Sequence, residues 1–458
     1  MKKKILQLIL LLIFSVLVLS GCYDYQEPNN IAYVIALGID KGSNEGIYKF
    51  SIQYARPNEI TGGASESGGE GKNTSGILSI ESPSIYSAIN LANHVISKTF
   101  TLSHTKIIVV SEEIAQEGIA PILDSLGRNN DIRPTVYFCI ANKSAENYLK
   151  SVKPSIEINP AKYYDLIFQN NSSSYTPFND AQKIYFNYKN DLRENVIPYV
   201  GTLKKADKQS EENSQNSQNN QSQDGGKGED NQGETNNSSQ NNSDSNTQQQ
   251  SEIQKNIPIN EKGFEYNIKK YISGNMDIDK SDESEEVGGA VFKDDKMIDT
   301  IPDIECKLYN IINGTFKTGY TVIYFKESPS SPVTVLMVQK KKPNVKVNIE
   351  SDLPKIDIKL YLEGDFISTP SQYMIEKNID IFEEEAKKYI EDAVYSFLYK
   401  TTKTYNSDIF GFGRYAKRSF LTYDKMQAYS WNEKYRDTKF NVDVKFNIKR
   451  TGLIIRTK

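Results

Sequence analysis

The stretch "KIIVVSEEIAQEGIAPILDSLGRNNDIRPTVYFCIA", residues 106–141, decides the fold class of the N-terminal half. Its two ends, residues 106–110 and 135–141, are short apolar runs of the kind that form buried strands. Ser111 can cap a helix between them, whose apolar residues are Ile114, Ile122, Leu123 and Leu126. A helix between two buried strands is the repeating unit of a parallel sheet.

The sequence before this stretch extends the pattern. Residues 33–55 indicate two strands joined by a Gly-rich turn. Residues 82–100 indicate a helix with Ser82 as its N-cap and Pro83 at its first position. The apolar side of that helix is formed by Ile85, Ile89, Ala92 and Ile96. The resulting β-α-β-α-β order predicts a mixed or parallel sheet covered by helices.

The C-terminal half has a different pattern. Five strand-like runs predict an antiparallel meander, at residues 288–292, 320–327, 333–339, 345–350 and 355–364. One long helix is predicted over residues 377–403, with an apolar stripe of Ile379, Phe382, Ala386, Ile390, Ala393, Phe397 and Thr401. Residues 440–450 alternate strictly and predict a final strand. Grouped strands, a helix and a returning strand favour an α+β class for the multi-domain chain.

A polar segment divides the two halves. Residues 207–252 contain no aliphatic or aromatic side chain, so they cannot bury apolar area to offset the entropy of ordering. We therefore predict an N-terminal α/β domain over residues 22–204, a disordered linker over 205–256 and a C-terminal α+β domain over 257–458. The Pro- and Tyr-rich residues 154–200 could form a small subdomain of the N-terminal half.

The N-terminus predicts a lipid anchor. Three lysines precede a mostly apolar run over residues 5–19, which rises about 22 Å as a helix and is shorter than a membrane core of ~30 Å. This is the pattern of a signal peptide, here residues 1–21. Leu19-Ser20-Gly21-Cys22 matches the lipobox of bacterial lipoproteins, which makes Cys22 the lipid-attachment residue. The alternative is an uncleaved anchor with an incidental cysteine.

Charge and cysteine content exclude several classes of protein. The formal net charge is −4, and it becomes −7 without residues 1–21 because these contain three lysines and no acid. An acidic chain argues against nucleic acid or anionic lipid as the main ligand. After Cys22 only Cys139 and Cys306 remain, which is too few for a disulfide framework. Two packed free thiols are favoured, and a single disulfide is the alternative.

The sequence contains no recognisable catalytic or metal-binding pattern. His94 and His104 are the only histidines, and neither has metal-ligand spacing to a cysteine or a second histidine. Residues 411–416, "GFGRYA", match the text of a dinucleotide motif, but they follow the long helix instead of a strand. Their glycines are better explained as ending that helix. We therefore predict no catalytic residue, no metal site and no cofactor.

Several blocks together resemble the Ger(x)C family of lipoproteins, the C subunits of nutrient germinant receptors in spore-forming bacteria. The blocks are the lipobox cysteine followed by "VIALGID" (34–40), residues 102–141, "GGAVFKDDKM" (288–297), "DIFGFGRYAKRSF" (408–420) and "IKRTGLI" (448–454). They occur in the family's order over nearly the full mature chain. The resemblance implies a multi-domain α+β fold without enzymatic activity.

The resemblance also implies location and partners. The family sits on the outer face of the inner spore membrane with two multispanning subunits, a large A-type subunit and a B-type subunit similar to amino-acid transporters. We expect partner contacts at Asp40, Asp408, Phe410 and Phe412. The alternatives are structural. Asp40 would cap backbone amides where a strand ends, and the two phenylalanines would be core residues under a turn.

Two other functions are alternatives for an anchored protein outside the cytoplasm. A lipid-anchored solute-binding protein of an importer closes two lobes about a short hinge, which a long polar linker could not transmit. Tight binding of one amino acid by the isolated protein would favour it. A cell-envelope hydrolase is the other possibility, and its sign would be activity in the fragment from Tyr23 onward.

Overall fold

The chain is described here from a computed structural model. The described residues are 2–19, 27–56, 74–128, 130–153, 157, 159–169, 174–190, 192–203, 270–276, 284–324, 332–349, 353–368 and 379–450. The predicted lipid-attachment residue Cys22 and the predicted linker over residues 205–256 lie outside these ranges.

The described strands and helices are numbered here in chain order. The strands are β1 Ile31–Lys41, β2 Tyr48–Ala55, β3 Ser75–Ser82, β4 Thr99–Thr101, β5 Ile107–Ser111, β6 Tyr137–Ala141, β7 Val196–Thr202, β8 Ser284–Glu285, β9 Gly289–Lys293, β10 Lys296–Ile301, β11 Thr318–Ile323, β12 Val333–Val338, β13 Asn344–Asn348, β14 Lys355–Ser368 and β15 Lys439–Arg450. The helices are α1 Lys2–Leu19, α2 Ile85–Val95, α3 Glu112–Glu117, α4 Ala120–Gly127, α5 Ala145–Ser151, α6 Pro160–Gln169, α7 Ala181–Tyr188, α8 Asp303–Asn313, α9 Ile379–Tyr399, α10 Phe412–Ala416, α11 Tyr423–Ala428 and α12 Trp431–Tyr435.

Within the described residues, ten strands form a mixed sheet. Its main order is β10-β9-β7-β6-β5-β1-β2-β3, with β4 beside β1 and β8 beside β7. The neighbours β1, β5, β6 and β7 are parallel, whereas β2 and β3 return antiparallel. β5 and β6 are buried along their whole length because helices cover both faces of the parallel region. The predicted mixed β-α-β half is confirmed.

The first sheet continues beyond the polar segment. We expected residues 288–292 to open the C-terminal meander. Instead β9 pairs with β7, from Val196 opposite Val291 to Pro198 opposite Gly289, and β10 then pairs with β9. Four of the five β9 residues are buried, which suits an interior position in a sheet covered on both faces. We expected residues 154–200 as a possible small subdomain. The end of this range lies in β7 and so belongs to the main sheet.

Two helix ends differ from expectation. α2 is capped by Ser84, whose hydroxyl accepts a hydrogen bond from Ser87 N at 3.2 Å, and not by Ser82. Ser82 still pairs with Tyr48 in the β2–β3 ladder, so the chain is extended there. The helix expected after Ser111 is divided into α3 and α4, because Gly118 has a φ of 134° that interrupts the helical backbone.

The described part of the C-terminal half contains a second, five-stranded sheet. β11, β12, β14 and β13 pair antiparallel in that order, and β15 returns parallel to β14 along almost its full length. α9 covers this sheet with the predicted stripe, since Phe382, Ala386, Ile390, Ala393 and Phe397 are all buried. The helix continues into a π-helical turn over Lys400–Tyr405. The predicted α+β class is confirmed.

Candidate functional site

Asp40, at the end of β1, binds the first turn of α5. Its carboxylate oxygens accept hydrogen bonds from Ala145 N and Glu146 N, each at 2.8 Å. Burial raises the pKa of Asp40, and these two amides oppose that rise. The side chain is therefore engaged as a cap between a strand end and a helix start. This geometry favours the structural alternative, and partner contact at Asp40 stays a prediction.

A polar cleft of about 650 Å³ opens beside Asp40 at the carboxyl ends of β1, β5 and β6. In open α/β sheets this edge is where ligands bind. The charges here are largely paired with one another: Lys41 contacts Glu113 at 3.1 Å, and Glu146 contacts Lys49 and Lys150. Desolvation opposes ionisation of Glu146, yet hydrogen bonds from Lys150, Lys49 and Ser79 lower its pKa to about 2. The cleft is thus a network of fixed charges.

Asp408 lies at the centre of the "DIFGFGR" turn, residues 408–414. Its carboxylate accepts hydrogen bonds from Phe412 N at 3.0 Å, Gly413 N at 2.8 Å and Trp431 Nε1 at 2.9 Å. The residue is 3% exposed. Burial raises the pKa of Asp408, while the three donors and the charge of Arg193 oppose that rise. One carboxylate thereby joins the turn to α12.

Phe410 and Phe412 are core residues, 4% and 1% exposed. Phe410 packs against Phe397 of α9 with a centroid distance of 5.7 Å, and Phe412 packs against Phe440 of β15 at 6.1 Å. Together they fix the turn to the long helix and the last strand. Their burial, like that of Asp408, favours the structural alternative, and partner contact at these residues stays a prediction.

The 408–414 turn also joins the two halves of the chain. The carbonyl of Asp408 accepts a hydrogen bond from Glu194 N at 3.0 Å. Arg414 Nη2 donates to Asn187 Oδ1 at 2.6 Å. Just before the turn, Ser407 Oγ donates to the carbonyl of Phe292 in β9 at 2.7 Å. These contacts place the motif at a junction.

Two cavities near this junction were not expected from the sequence. One, of about 250 Å³, is lined by Arg193, Arg414 and Arg418 beside Gly411. Arg193 is distant in sequence from Arg414 and Arg418, so no local spacing could indicate that the three side chains meet. The other, of about 320 Å³, is mostly apolar and contains Lys307. Burial lowers the pKa of Lys307 to about 8, against the opposing charge of Asp303.

The two cysteines of the described residues are buried in the core. Cys139 and Cys306 are free and fully buried, in different core clusters. Over the part of the chain that the structure describes, no three His, Cys, Asp or Glu side chains come together in a way that could hold a metal ion. Among the same residues, no helix is long and apolar enough to cross a membrane.

Each half of the chain matches a known domain model. Residues 24–202 match the model of the spore germination protein N-terminal domain, and residues 287–452 match the C-terminal model, spore germination B3/GerAC like. Spore germination protein KC of Bacillus subtilis strain 168 is 34% identical over 149 residues, which are 32% of this chain and 36% of that protein. The putative spore germination protein YfkR of the same strain is 31% identical over 152 residues, 33% of this chain and 39% of that protein.

The chain thus aligns with little more than a third of the length of these two relatives. A solved structure, the crystal structure of the GerBC protein, is also similar, with a TM-score of 0.49 and 15% identity over 90% of this chain and 96% of that chain. The two domain models match in sequential order and together cover most of the chain, so the protein belongs to the Ger(x)C family of spore germination proteins.

Proposed function

We propose that this protein is the lipid-anchored C subunit of a nutrient germinant receptor, at the outer face of the inner spore membrane. One observation carries the proposal: both domain models of the spore germination family match the chain, in order, over residues 24–202 and 287–452. Because both domain models match, the family resemblance extends to both halves and is not limited to one domain.

The proposed anchor is the lipidated thiol of Cys22. A single acyl chain binds membranes marginally, whereas two or more hold a protein stably. The apolar residues 5–19 would be removed with the rest of the signal peptide, so the lipid would be the attachment. The anchored body then lies beside its membrane-embedded partners without crossing the bilayer.

The proposed role is docking on the A-type and B-type subunits, without catalysis. Anchoring confines the protein to the plane of its partners and raises the effective concentration for contact. Asp40 and Asp408 remain our candidates for the partner surface, together with Phe410 and Phe412. Because all four are buried, they would act by shaping the surface, Asp40 at the end of β1 and the other three around the 408–414 turn.

Deletion and a single substitution test this function. Deleting the gene should leave sporulation intact and abolish the response to nutrients. Cys22→Ala should slow nutrient germination by about tenfold or more, because tethering contributes an effective concentration that free diffusion does not replace. Cys139→Ala is the matched control, since it removes a buried thiol and leaves Cys22 in place.

Two outcomes would contradict the proposal. A deletion strain with a normal nutrient response would exclude the subunit role. Mass spectrometry of the native protein that finds residues 1–21 retained, or an unmodified thiol at Cys22, would exclude the anchor. The two readouts are independent, so either part can fail alone.

The importer alternative is disfavoured by the first sheet. Solute-binding proteins close two lobes about a hinge, but here β7 and β9 lie on either side of the polar segment and pair in one sheet. Lobe closure about that segment would have to break this pairing.

A further inference from the structure

Three guanidinium groups converge on one cavity at the junction of the two halves. Arg193 precedes β7, Arg414 ends the 408–414 turn, Arg418 follows that turn, and all three line the cavity of about 250 Å³. Gly411 permits this approach, since it has a φ of 72° and an added Cβ would lie 2.9 Å from Arg193 Cδ. The turn therefore folds directly onto the Arg193 side chain.

The three arginines have neutral partners. Arg193 Nη2 donates to Tyr309 Oη at 3.2 Å and to Asn313 Oδ1 at 3.1 Å. Arg193 Nε is buried and has no hydrogen-bond acceptor among the residues that the structure describes. Arg414 donates to the Asn187 amide, and Arg418 lies over the Tyr415 ring.

Within the described ranges, Asp408 is a carboxylate whose charge favours the charged forms of Arg193 and Arg414, but none of the three arginines forms an ion pair with an acidic group within 4 Å. The nearby Asp408 carboxylate is already engaged by three N–H donors. Desolvation and the like charge of Arg193 lower the pKa of Arg414, as expected where cations are crowded. Arg193 and Arg414 share the charge of one carboxylate, and the exposed Arg418 adds a third cation, so the cavity lining carries an excess of positive charge that suits an anion.

We propose that this cavity binds a phosphate group through Arg193, Arg414 and Arg418. Guanidinium groups donate paired N–H hydrogen bonds that match the oxygens of phosphate. The three arginines also carry more positive charge than the carboxylate of Asp408 balances. The phosphate can come from free inorganic phosphate or from a phospholipid headgroup, which present the same oxygens.

The single tryptophan gives a direct readout. Trp431 binds Asp408 and contacts Gly413, the residue before Arg414, so its fluorescence should respond to an anion in the cavity. The full chain in a phosphate-free neutral detergent is titrated with inorganic phosphate, and potassium chloride at matched ionic strength is the control. We expect a saturable fluorescence change with phosphate and none with chloride.

Single substitutions test the assignment to these side chains. Arg418 is exposed, so Arg418→Gln should fold normally and weaken phosphate binding by about tenfold, the usual effect of losing one charge-assisted hydrogen bond. Arg414→Gln should weaken it at least as much. Arg436→Gln is the matched control, because Arg436 is exposed and does not line the cavity.

A second arm separates the two sources. Phosphatidylglycerol is added to the micelles in place of phosphate, and inorganic phosphate is then added as competitor. A competed response identifies a headgroup site, whereas a response to inorganic phosphate alone identifies a site for the free anion. No saturable response in either arm, or equal affinity in Arg418→Gln, Arg414→Gln and Arg436→Gln, would overturn the proposal.

Discussion

Asp40 and Asp408 are buried carboxylates that accept hydrogen bonds from backbone amides at the start of a helix. Asp40 binds two amides of α5 from a neighbouring strand, and Asp408 binds two amides of α10 from the preceding turn. In both cases a negative charge meets the positive end of a helix. Each aspartate thus fixes the relative orientation of two segments. Local secondary-structure propensity does not determine that orientation.

Asp408→Asn should destabilise the protein by about 3 kcal/mol. The amide group of asparagine presents an NH₂ donor where at least one of the three N–H donors now meets an oxygen, which leaves buried donors unsatisfied. Urea unfolding monitored by Trp431 fluorescence measures the loss. Asp437→Asn, at an exposed carboxylate paired with Lys403, should change stability by less than about 0.5 kcal/mol. Equal effects of the two substitutions would argue against this role of Asp408.

Glu194 should make the protein less stable as pH rises. Burial, with the charge of Asp294 nearby, raises the pKa of Glu194 from 4.5 to about 7. Between these values the folded state holds a proton that the unfolded state has lost, so the free energy of unfolding falls with increasing pH. The loss is complete above about pH 7 and amounts to at most about 3 kcal/mol.

Glu194→Gln should remove this dependence. Glutamine keeps an oxygen that can accept the hydrogen bond from Asp294 N, now 2.9 Å from Glu194 Oε2, but it does not titrate. Urea unfolding of both proteins at pH 5, 6, 7 and 8 gives the difference in stability at each pH. A difference that stays constant over this range would show that Glu194 does not hold the extra proton.

The 408–414 turn is the element that depends most on glycine. Gly411→Ala places an alanine at a φ of 72° and brings its Cβ against the Arg193 side chain. Gly46→Ala is the matched control, since Gly46 has a φ of 75° and nothing within 4 Å of an added Cβ. We expect a loss of about 1 kcal/mol at Gly46 and about 3 kcal/mol at Gly411, measured by urea unfolding. Similar losses of stability at both positions would mean that the Arg193 side chain moves away from the added Cβ without lowering the free energy of unfolding.

The elements themselves were largely predictable from the sequence. β5, β6, α9 and β15 follow from apolar runs and periodicity, because burial selects those patterns directly. The partner of β9 was not predictable, since an apolar run indicates a buried strand without saying which sheet receives it. The arginine cavity was also beyond sequence reasoning, because Arg193 and Arg414 meet only after the two halves have folded together.

At the scale of the whole molecule, the two halves are joined by more than the chain. β7 pairs with β9, and the 408–414 turn adds hydrogen bonds to residues 187 and 194. The halves therefore share one sheet and one junction. The boundary between them in sequence is not a boundary in the hydrogen-bond network.

Proteolysis within residues 205–256 should leave the halves associated. Trypsin can cut at Lys205, Lys208, Lys227 or Lys255, in a segment whose composition predicts no protected structure. We expect two fragments on a denaturing gel that elute as one species in size-exclusion chromatography. Separation of the fragments under native conditions would mean that the β7–β9 pairing contributes little to association.

The pairing of β7 with β9 also sets an order of events during synthesis. β7 is synthesised before residue 289, so the edge of β7 that pairs with β9 is at first left with unpaired N–H and C=O groups. An unpaired strand edge of this kind can pair with another newly synthesised chain. The intervening polar residues are charged and rich in asparagine and glutamine, and they would keep neighbouring chains solvated until β9 arrives.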